Sequence, residues 1–229
     1  MSGLEHEKGN AMILYGSTLS PFVRKVMAFA GEKGIEIELR PTGFPGHEPE
    51  FCAASPFRKM PALVDGDYCL ADSSAIIHYL EAKYPEPALI PAEPRARGRT
   101  IWFDEFADTI LFGCGQKMFF NRIVSPYFLK RPGDLALAET AERDELPPIL
   151  NYLEAVVPDE GGYLVGAGLT LADIAVAGPF ANLAHLGIET DVGTHPRTAA
   201  YVKRILARPS FSQWLERESA LLAKVGEAA

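Results

Sequence analysis

The stretch AMILYGSTLSPFVRKV, residues 11–26, joins a short apolar run to a helical pattern through a small polar turn. The run at 11–16 is typical of a buried strand. A helix is predicted from Ser20 to Gly34, because Ser20 suits the N-cap and Pro21 suits the first helical position, while Gly34 suits the C-terminal end. The turn therefore places hydroxyl groups where a strand meets a helix N-terminus.

The segments that follow repeat strand and helix patterns. Residues 35–39 alternate apolar and acidic side chains, which favours a half-buried strand. A loop comes next, marked by Pro45, Gly46 and Pro49. Residues 61–72 are predicted to form two strands that turn at an Asp-Gly pair, a strong hairpin signal. An amphipathic helix with a serine cap is predicted over 73–84.

The order β-α-β followed by β-β-α is that of a thioredoxin-type domain, with helices on the faces of a mixed sheet. We assign this α/β domain to 12–84 and a linker to 85–94, which holds four prolines. Beyond it no convincing strand is found, and an all-α helical bundle is predicted at 95–224. Within it, Thr170 and Asp173 form an N-capping pattern with a structural role.

Composition excludes several classes of function. The 229 residues are 48% hydrophobic with a net charge of −8, which argues against a nucleic-acid partner. No apolar run reaches the roughly 20 residues that cross a membrane. The polar start lacks a secretion signal and is predicted to be a loose tail. Three cysteines without a CxxC spacing or a metal-ligand cluster favour a reducing, cytoplasmic setting and no metal.

Four local motifs, in order, resemble those of the soluble glutathione transferases. They are SPFVRKV (20–26), KMPAL (59–63), ADSSAI (71–76) and LTLADIAVA (169–177). The resemblance covers 12–224. It implies a serine-type enzyme that uses glutathione as co-substrate without a further cofactor and pairs as a homodimer.

The resemblance implies a catalytic role for Ser20. Redox members of the thioredoxin group have a cysteine there, but the tetrad Ser20-Pro21-Phe22-Val23 has no sulfur, which disfavours disulfide exchange. A hydroxyl can instead donate a hydrogen bond to the sulfur of glutathione, whose free thiol has a pKa of about 8.5. Together with the helix N-terminus it could lower that pKa by about 2. There are two alternatives to this role of Ser20. Either Ser20 only caps the helix, or the donor is Ser17, Tyr15 or Thr18.

The cysteinyl part of glutathione is expected to lie along the backbone of Met60, before a cis bond to Pro61. The helix that opens at Asp72 and Ser73 would hold the γ-glutamyl group. Ser73 would bind its carboxylate and Asp72 would approach its ammonium. The alternative for this helix start is a simple cap, which is the role predicted for Ser74.

Basic residues are expected at the glycyl carboxylate. Lys59 matches a basic position of the family, Arg58 could substitute for it, and His47 falls near another such position. The alternative for each is an ordinary solvated side chain.

A second substrate, a small hydrophobic electrophile, is expected between the domains beside Ser20. Apolar side chains would line its pocket, and the alternative is that they are plain core: Leu19, Phe22, Phe112 and Phe119. A glutathione-dependent isomerase or dehalogenase would use the same site, although the Ser-Ser-Cys stretch of the isomerase subfamily is missing. A catalytically idle binding or scaffold protein is the other alternative.

Overall fold

The computed structural model describes residues 11–43, 46–159 and 161–227. The predicted loose tail and Pro45 of the predicted loop lie outside these residues. The 229-residue chain builds a sheet domain followed by a helical domain.

The first domain is a four-stranded mixed sheet with helices. Its elements are β1 (Met12–Tyr15), α1 (Pro21–Lys33), β2 (Ile37–Arg40), α2 (Pro49–Ala54), β3 (Ala62–Asp65), β4 (Tyr68–Ala71) and α3 (Ser73–Lys83). The strand order is β2-β1-β3-β4, in which β1 pairs parallel with β2 and antiparallel with β3. This confirms the thioredoxin-like fold. The helix α2 was not predicted, because the sequence analysis interpreted its segment as part of a proline-marked loop.

The second domain contains helices and loops but no strand among its described residues. Its α-helices are α4 (Pro94–Glu105), α5 (Phe112–Phe119), α6 (Leu135–Thr140), α7 (Leu146–Val156), α8 (Leu171–His185), α9 (Pro196–Leu206) and α10 (Pro209–Glu227). Three π-helical segments lie between them: Phe106–Leu111, Phe120–Phe128 and Ala141–Glu145. The irregular segment between α3 and α4 lies where the sequence places the linker. Among the described helices, none combines the length and hydropathy needed to span a bilayer.

Besides a small cluster of Tyr15, Phe51, Ala54 and Ala62 in the sheet domain, one large apolar core runs through both domains. Helix α8 is central to it, because every residue from Leu171 to Leu183 is buried. It packs against α1 of the sheet domain and against α4 of its own domain. The relative position of the two domains is therefore fixed by burial as well as by polar contacts.

Strand register brings the predicted site segments to one edge of the sheet. Tyr15 pairs with Arg40 of β2 and with Ala62 of β3, and Ala62 pairs with Ala71 of β4. The ends of β1, β2 and β4 therefore share an edge with the start of β3. The turn that contains Ser20, the Met60–Pro61 segment and the start of α3 all emerge there.

The turn after β1 lies tightly against this edge and depends on Gly16. Its φ is +149°, a backbone conformation that L-residues rarely adopt. A Cβ built there would lie 2.5 Å from Val23 Cγ2 and 3.3 Å from Met60 Cβ. Only glycine lets the turn approach α1 and Met60 this closely.

The capping pattern at the start of α8 is centred on a buried carboxylate. Asp173 is fully buried, and Oδ2 accepts hydrogen bonds from the Thr170 N–H at 2.9 Å and the Thr170 hydroxyl at 3.1 Å. Its Oδ1 accepts from the Leu164 N–H and the Tyr201 hydroxyl, both at 2.9 Å. Burial raises the pKa of Asp173, although these four donors act against that rise. The carboxylate thus joins α8, α9 and the preceding loop.

We expect Asp173→Ala to lower the free energy of unfolding by more than about 3 kcal/mol, because it leaves several buried donors without an acceptor. Urea unfolding followed by circular dichroism measures the change. Asp191→Ala is the matched control, since Asp191 also accepts from a backbone N–H and a threonine hydroxyl but is exposed. Equal losses in the two variants would contradict a central role for Asp173.

We expect Gly16→Ala to destabilise the fold by about 2 kcal/mol, because the methyl group meets Val23 and the backbone is strained. Gly98→Ala is the control, because Gly98 lies on the exposed side of α4 with open space around its Cα. That change should stabilise the helix by up to about 1 kcal/mol. Thermal melts of both variants test this, and a Gly16→Ala protein as stable as the parent would refute the close approach.

Candidate active site

Ser20 occupies the N-cap of α1, with extended backbone at φ −76° and ψ 121°. Its N–H donates to the Ser17 carbonyl at 2.9 Å, and its carbonyl accepts from the Arg24 N–H at 3.0 Å. The half-buried side chain makes no capping hydrogen bond. Its hydroxyl has no hydrogen-bond partner among the described residues. The predicted cap position is confirmed, but the hydroxyl itself is left available to a ligand at a helix N-terminus.

The other candidate donors near Ser20 are either buried or already hydrogen-bonded. Tyr15 is 5% exposed, its ring packs against Phe51, and its hydroxyl accepts from Arg40 Nη1 at 3.5 Å. Thr18 is buried, at 7% exposed. Ser17 Oγ accepts a long hydrogen bond of 3.4 Å from the Leu19 N–H and is half-buried. Ser17 is therefore the rival that retains access to a ligand.

The Met60–Pro61 peptide bond is cis, as predicted. Ser55 fixes the backbone of Lys59, the residue before Met60. The Ser55 hydroxyl donates to the Lys59 carbonyl at 2.7 Å and accepts from the Lys59 N–H at 3.0 Å. Met60 is half-buried at the sheet edge, next to the turn that carries Ser20. The backbone of Met60 thus occupies a fixed position at this edge.

Helix α3 is capped by Asp72, which corrects the prediction of a serine cap. Its Oδ1 accepts from the Ser74 N–H at 3.0 Å and from the Ala75 N–H at 3.1 Å. Its other carboxylate oxygen has no hydrogen bond within the described residues, and the residue is exposed. Ser73, the first helical residue, is 2% exposed, and its hydroxyl makes no hydrogen bond to any residue that the structure describes.

The prediction that Ser74 is only a cap is wrong. Its Oγ donates to Asp104 at 2.7 Å and accepts from Lys25 Nζ at 3.2 Å. Lys25 also pairs with Asp104 at 2.7 Å and with Asp108 at 2.6 Å. Burial raises the pKa of Asp108 and Asp104 adds to the rise, whereas Lys25 opposes it. This buried cluster ties the start of α3 to α1 and to the helical domain.

Two of the predicted basic residues meet at the rim of the sheet edge. Arg58 Nη1 lies 3.3 Å from Nδ1 of His47, and both side chains are exposed. The neighbouring Lys59 is also exposed. The sequence analysis proposed Arg58 and His47 as separate candidates, and the structure brings them together as one basic pair.

The predicted apolar residues differ in their surroundings. The tilted rings of Phe22 and Phe112 contact each other across the domain boundary, with centroids 4.4 Å apart and planes at 57°. Leu19, three residues before Phe22, is half-buried. Phe119 is buried at 7% exposed, which favours a core role over a pocket wall. A cavity of about 340 Å³ lies elsewhere, along α9, and none of the predicted site residues lines it.

One residue that contacts the turn before Ser20 was not predicted from the sequence. Asn182 of α8 donates a hydrogen bond from Nδ2 to the Leu19 carbonyl at 2.9 Å. A signal existed, because Asn182 is the one amide side chain in a helix that otherwise reads as almost entirely apolar.

Comparisons with known proteins agree with this fold. The family model for the glutathione S-transferase N-terminal domain matches residues 14–88, and that for the C-terminal domain matches 119–218. The chain is 32% identical over 213 residues to glutathione S-transferase 3 of Zea mays, covering 87% of this chain and 91% of that protein.

Two further likenesses span most of the chain. A solved glutathione S-transferase of Rhodospirillum rubrum F11 superposes with a TM-score of 0.80 at 25% identity, covering 89% of this chain and 91% of that one. The chain is also 27% identical over 218 residues to a stringent starvation protein A homolog of Coxiella burnetii, covering 95% of this chain and 98% of that protein. With both family models matched in order, this chain belongs to the glutathione S-transferase family.

Proposed function

We propose that the chain transfers glutathione to a small hydrophobic electrophile, with the Ser20 hydroxyl donating a hydrogen bond to the glutathione sulfur. The observation that carries this proposal is the hydroxyl at the N-terminus of α1 that caps nothing. A donor and a helix N-terminus both favour the charged form of a thiol, so the bound thiol loses its proton more readily than the free one.

The reaction then follows from the thiolate. The bound thiol releases its proton to solvent, and the sulfur lone pair forms a bond to an electrophilic carbon. In a substitution, the leaving group departs with the electron pair of its bond to that carbon. In an addition, the electron pair of the double bond takes up a proton from water. Ser20 remains a hydrogen-bond donor throughout and forms no covalent bond.

The neighbouring segments would hold the cysteinyl and γ-glutamyl parts of the tripeptide. The cysteinyl backbone would pair with the main chain of Met60 as an added strand. Ser73 would donate its hydroxyl and N–H to the γ-glutamyl carboxylate at the start of α3. Asp72 already uses one oxygen to cap the helix, so only its second oxygen would face the glutamyl ammonium.

At the other end, the Arg58–His47 pair would bind the glycyl carboxylate, with Lys59 nearby. The 3.3 Å contact supports this assignment, because His47 orients the guanidinium of an exposed arginine. The electrophile would lie against the contacting rings of Phe22 and Phe112, of which Phe22 is two residues from Ser20. We also propose a cytoplasmic homodimer with domain boundaries at 12–84 and 95–224.

A binding or scaffold role is the second candidate. The likeness to a stringent starvation protein A homolog favours it, because a relative of nearly the same length has a name other than transferase. Fold alone does not decide between the two. Glutathione-dependent isomerisation or dehalogenation would begin with the same thiolate and is separated from simple transfer by assaying a panel of electrophiles.

We expect Ser20→Ala to raise the pKa of bound glutathione by about 1 to 2, since the sulfur loses its donor. The thiolate absorbance of the complex, followed over pH, measures this, and kcat/KM near neutral pH should fall about tenfold to a hundredfold. Ser17→Ala is the matched control and should leave both quantities near those of the parent. If Ser17→Ala produced the shift and Ser20→Ala did not, Ser17 would be the donor.

We expect Arg58→Ala to raise KM for glutathione about tenfold with little change in kcat, because the glycyl carboxylate is remote from the sulfur. Arg143→Ala is the control, since Arg143 is an exposed arginine that pairs with the adjacent Asp144. Steady-state kinetics with glutathione and with its glycyl methyl ester test the assignment. The methyl ester lacks the glycyl carboxylate, so the substitution should change KM for the ester much less than KM for glutathione. An equal change in the two KM values would rule out Arg58 as the partner of that carboxylate.

A further inference from the structure

The turn that carries Ser20 is held from the other domain by one side chain. Asn182 lies in α8, is 5% exposed, and donates from Nδ2 to the Leu19 carbonyl at 2.9 Å. That carbonyl belongs to the same planar peptide unit as the Ser20 nitrogen. The orientation of this unit sets the direction in which the Ser20 side chain leaves the backbone.

The amide of Asn182 is itself fixed in one orientation. Its Oδ1 accepts a hydrogen bond from Arg24 Nη1 at 2.9 Å, and the same Nη1 donates to the Gly178 carbonyl at 2.9 Å. An arginine can only donate and a carbonyl can only accept, so the oxygen must face Arg24 and the nitrogen must face Leu19. A flipped amide would lose both bonds.

Arg24 is in turn immobilised by a buried ion pair. It is fully buried and pairs through Nε and Nη2 with Glu218 of α10, at 3.0 and 2.6 Å. His185 Nε2 lies 2.9 Å from the same carboxylate. Although burial acts to raise the pKa of Glu218, the charge of Arg24 and the hydrogen bond with His185 lower it overall, so the carboxylate stays charged near neutral pH.

We infer that Asn182 is a positioning residue for the glutathione thiolate. Its amide is hydrogen-bonded both to Arg24, which the ion pair with Glu218 immobilises, and to the peptide unit that orients Ser20. This inference rests on the proposed function of Ser20. Asn182 acts through the backbone and touches no substrate. The helical domain, through α8 and α10, thereby sets the geometry of a donor that belongs to the sheet domain.

The test compares Asn182→Leu with Asn121→Leu, each measured by pH titration of the thiolate absorbance of bound glutathione. Leucine has the same branched heavy-atom skeleton as asparagine, makes no hydrogen bonds, and adds no charge that could itself shift the titration. Asn121 is a matched control, because it is 8% exposed and its amide also joins two backbone groups, the Lys117 carbonyl and the Asp134 N–H. Ser20→Ala is titrated alongside.

We expect Asn182→Leu to raise the pKa of bound glutathione by about 0.5 to 1, so that kcat/KM falls about threefold to tenfold below that pKa. Asn121→Leu should leave the titration unchanged even where it lowers the melting temperature. If Asn182→Leu does not fold, Asn182→Ala, which removes the amide without new bulk, takes its place.

The outcomes separate this inference from the proposal on which it rests. A shift with Ser20→Ala but none with Asn182→Leu or its alanine replacement would overturn the inference and leave the role of Ser20 intact. No shift with Ser20→Ala would overturn the proposed function itself. An equal shift in Asn182→Leu and Asn121→Leu would mean that general loosening moves the titration, and it would also overturn the positioning role.

Discussion

Two adjacent cations of α1 fix the sheet domain and the helical domain in their relative position. Arg24 and Lys25 are successive residues, so their side chains leave the helix about 100° apart and reach different neighbours. Arg24 extends to α8 and α10, where Glu218 is its partner. Lys25 extends to α3, to α4 and to the π-helical segment after it, where Ser74, Asp104 and Asp108 are its partners. The helix that begins at Ser20 is therefore fixed on two sides at once.

Such buried charges constrain geometry more than they stabilise it. Removing an arginine and a carboxylate from water costs several kcal/mol per ion, and their attraction offsets this cost only where both ions are fully hydrogen-bonded. Arg24 satisfies this condition with bonds to Glu218, Asn182 and Gly178. Any displacement of α1 against α8 would leave a charge without its partner in a region that excludes water. The contact thus penalises alternative arrangements of the domains.

The sequence predicted what depends on local patterns. Strand alternation, the Asp-Gly hairpin and the capping pattern at Thr170 each involve residues close together in the chain, and each is confirmed. It did not predict contacts between residues far apart. The pair Arg24 and Lys25 has the composition of a solvated helix face, and only the packed structure shows that both are buried. The serine cap assigned to α3 failed because Asp72, one residue earlier, is the better acceptor for the same backbone groups.

The two serines proposed to bind glutathione are free of capping contacts for different reasons. At α1, Pro21 has no N–H that needs a partner and the Ser20 carbonyl accepts the first helical bond from Arg24, while the Ser20 hydroxyl caps neither of the next two N–H groups. At α3, the carboxylate of Asp72 caps the next two N–H groups, so Ser73 has no capping task. Only at α3 is the helix start therefore satisfied by a residue other than the serine, because at α1 no side chain makes a capping hydrogen bond. In both places the serine hydroxyl makes no hydrogen bond to the described residues, so a ligand that binds it breaks no bond within the fold.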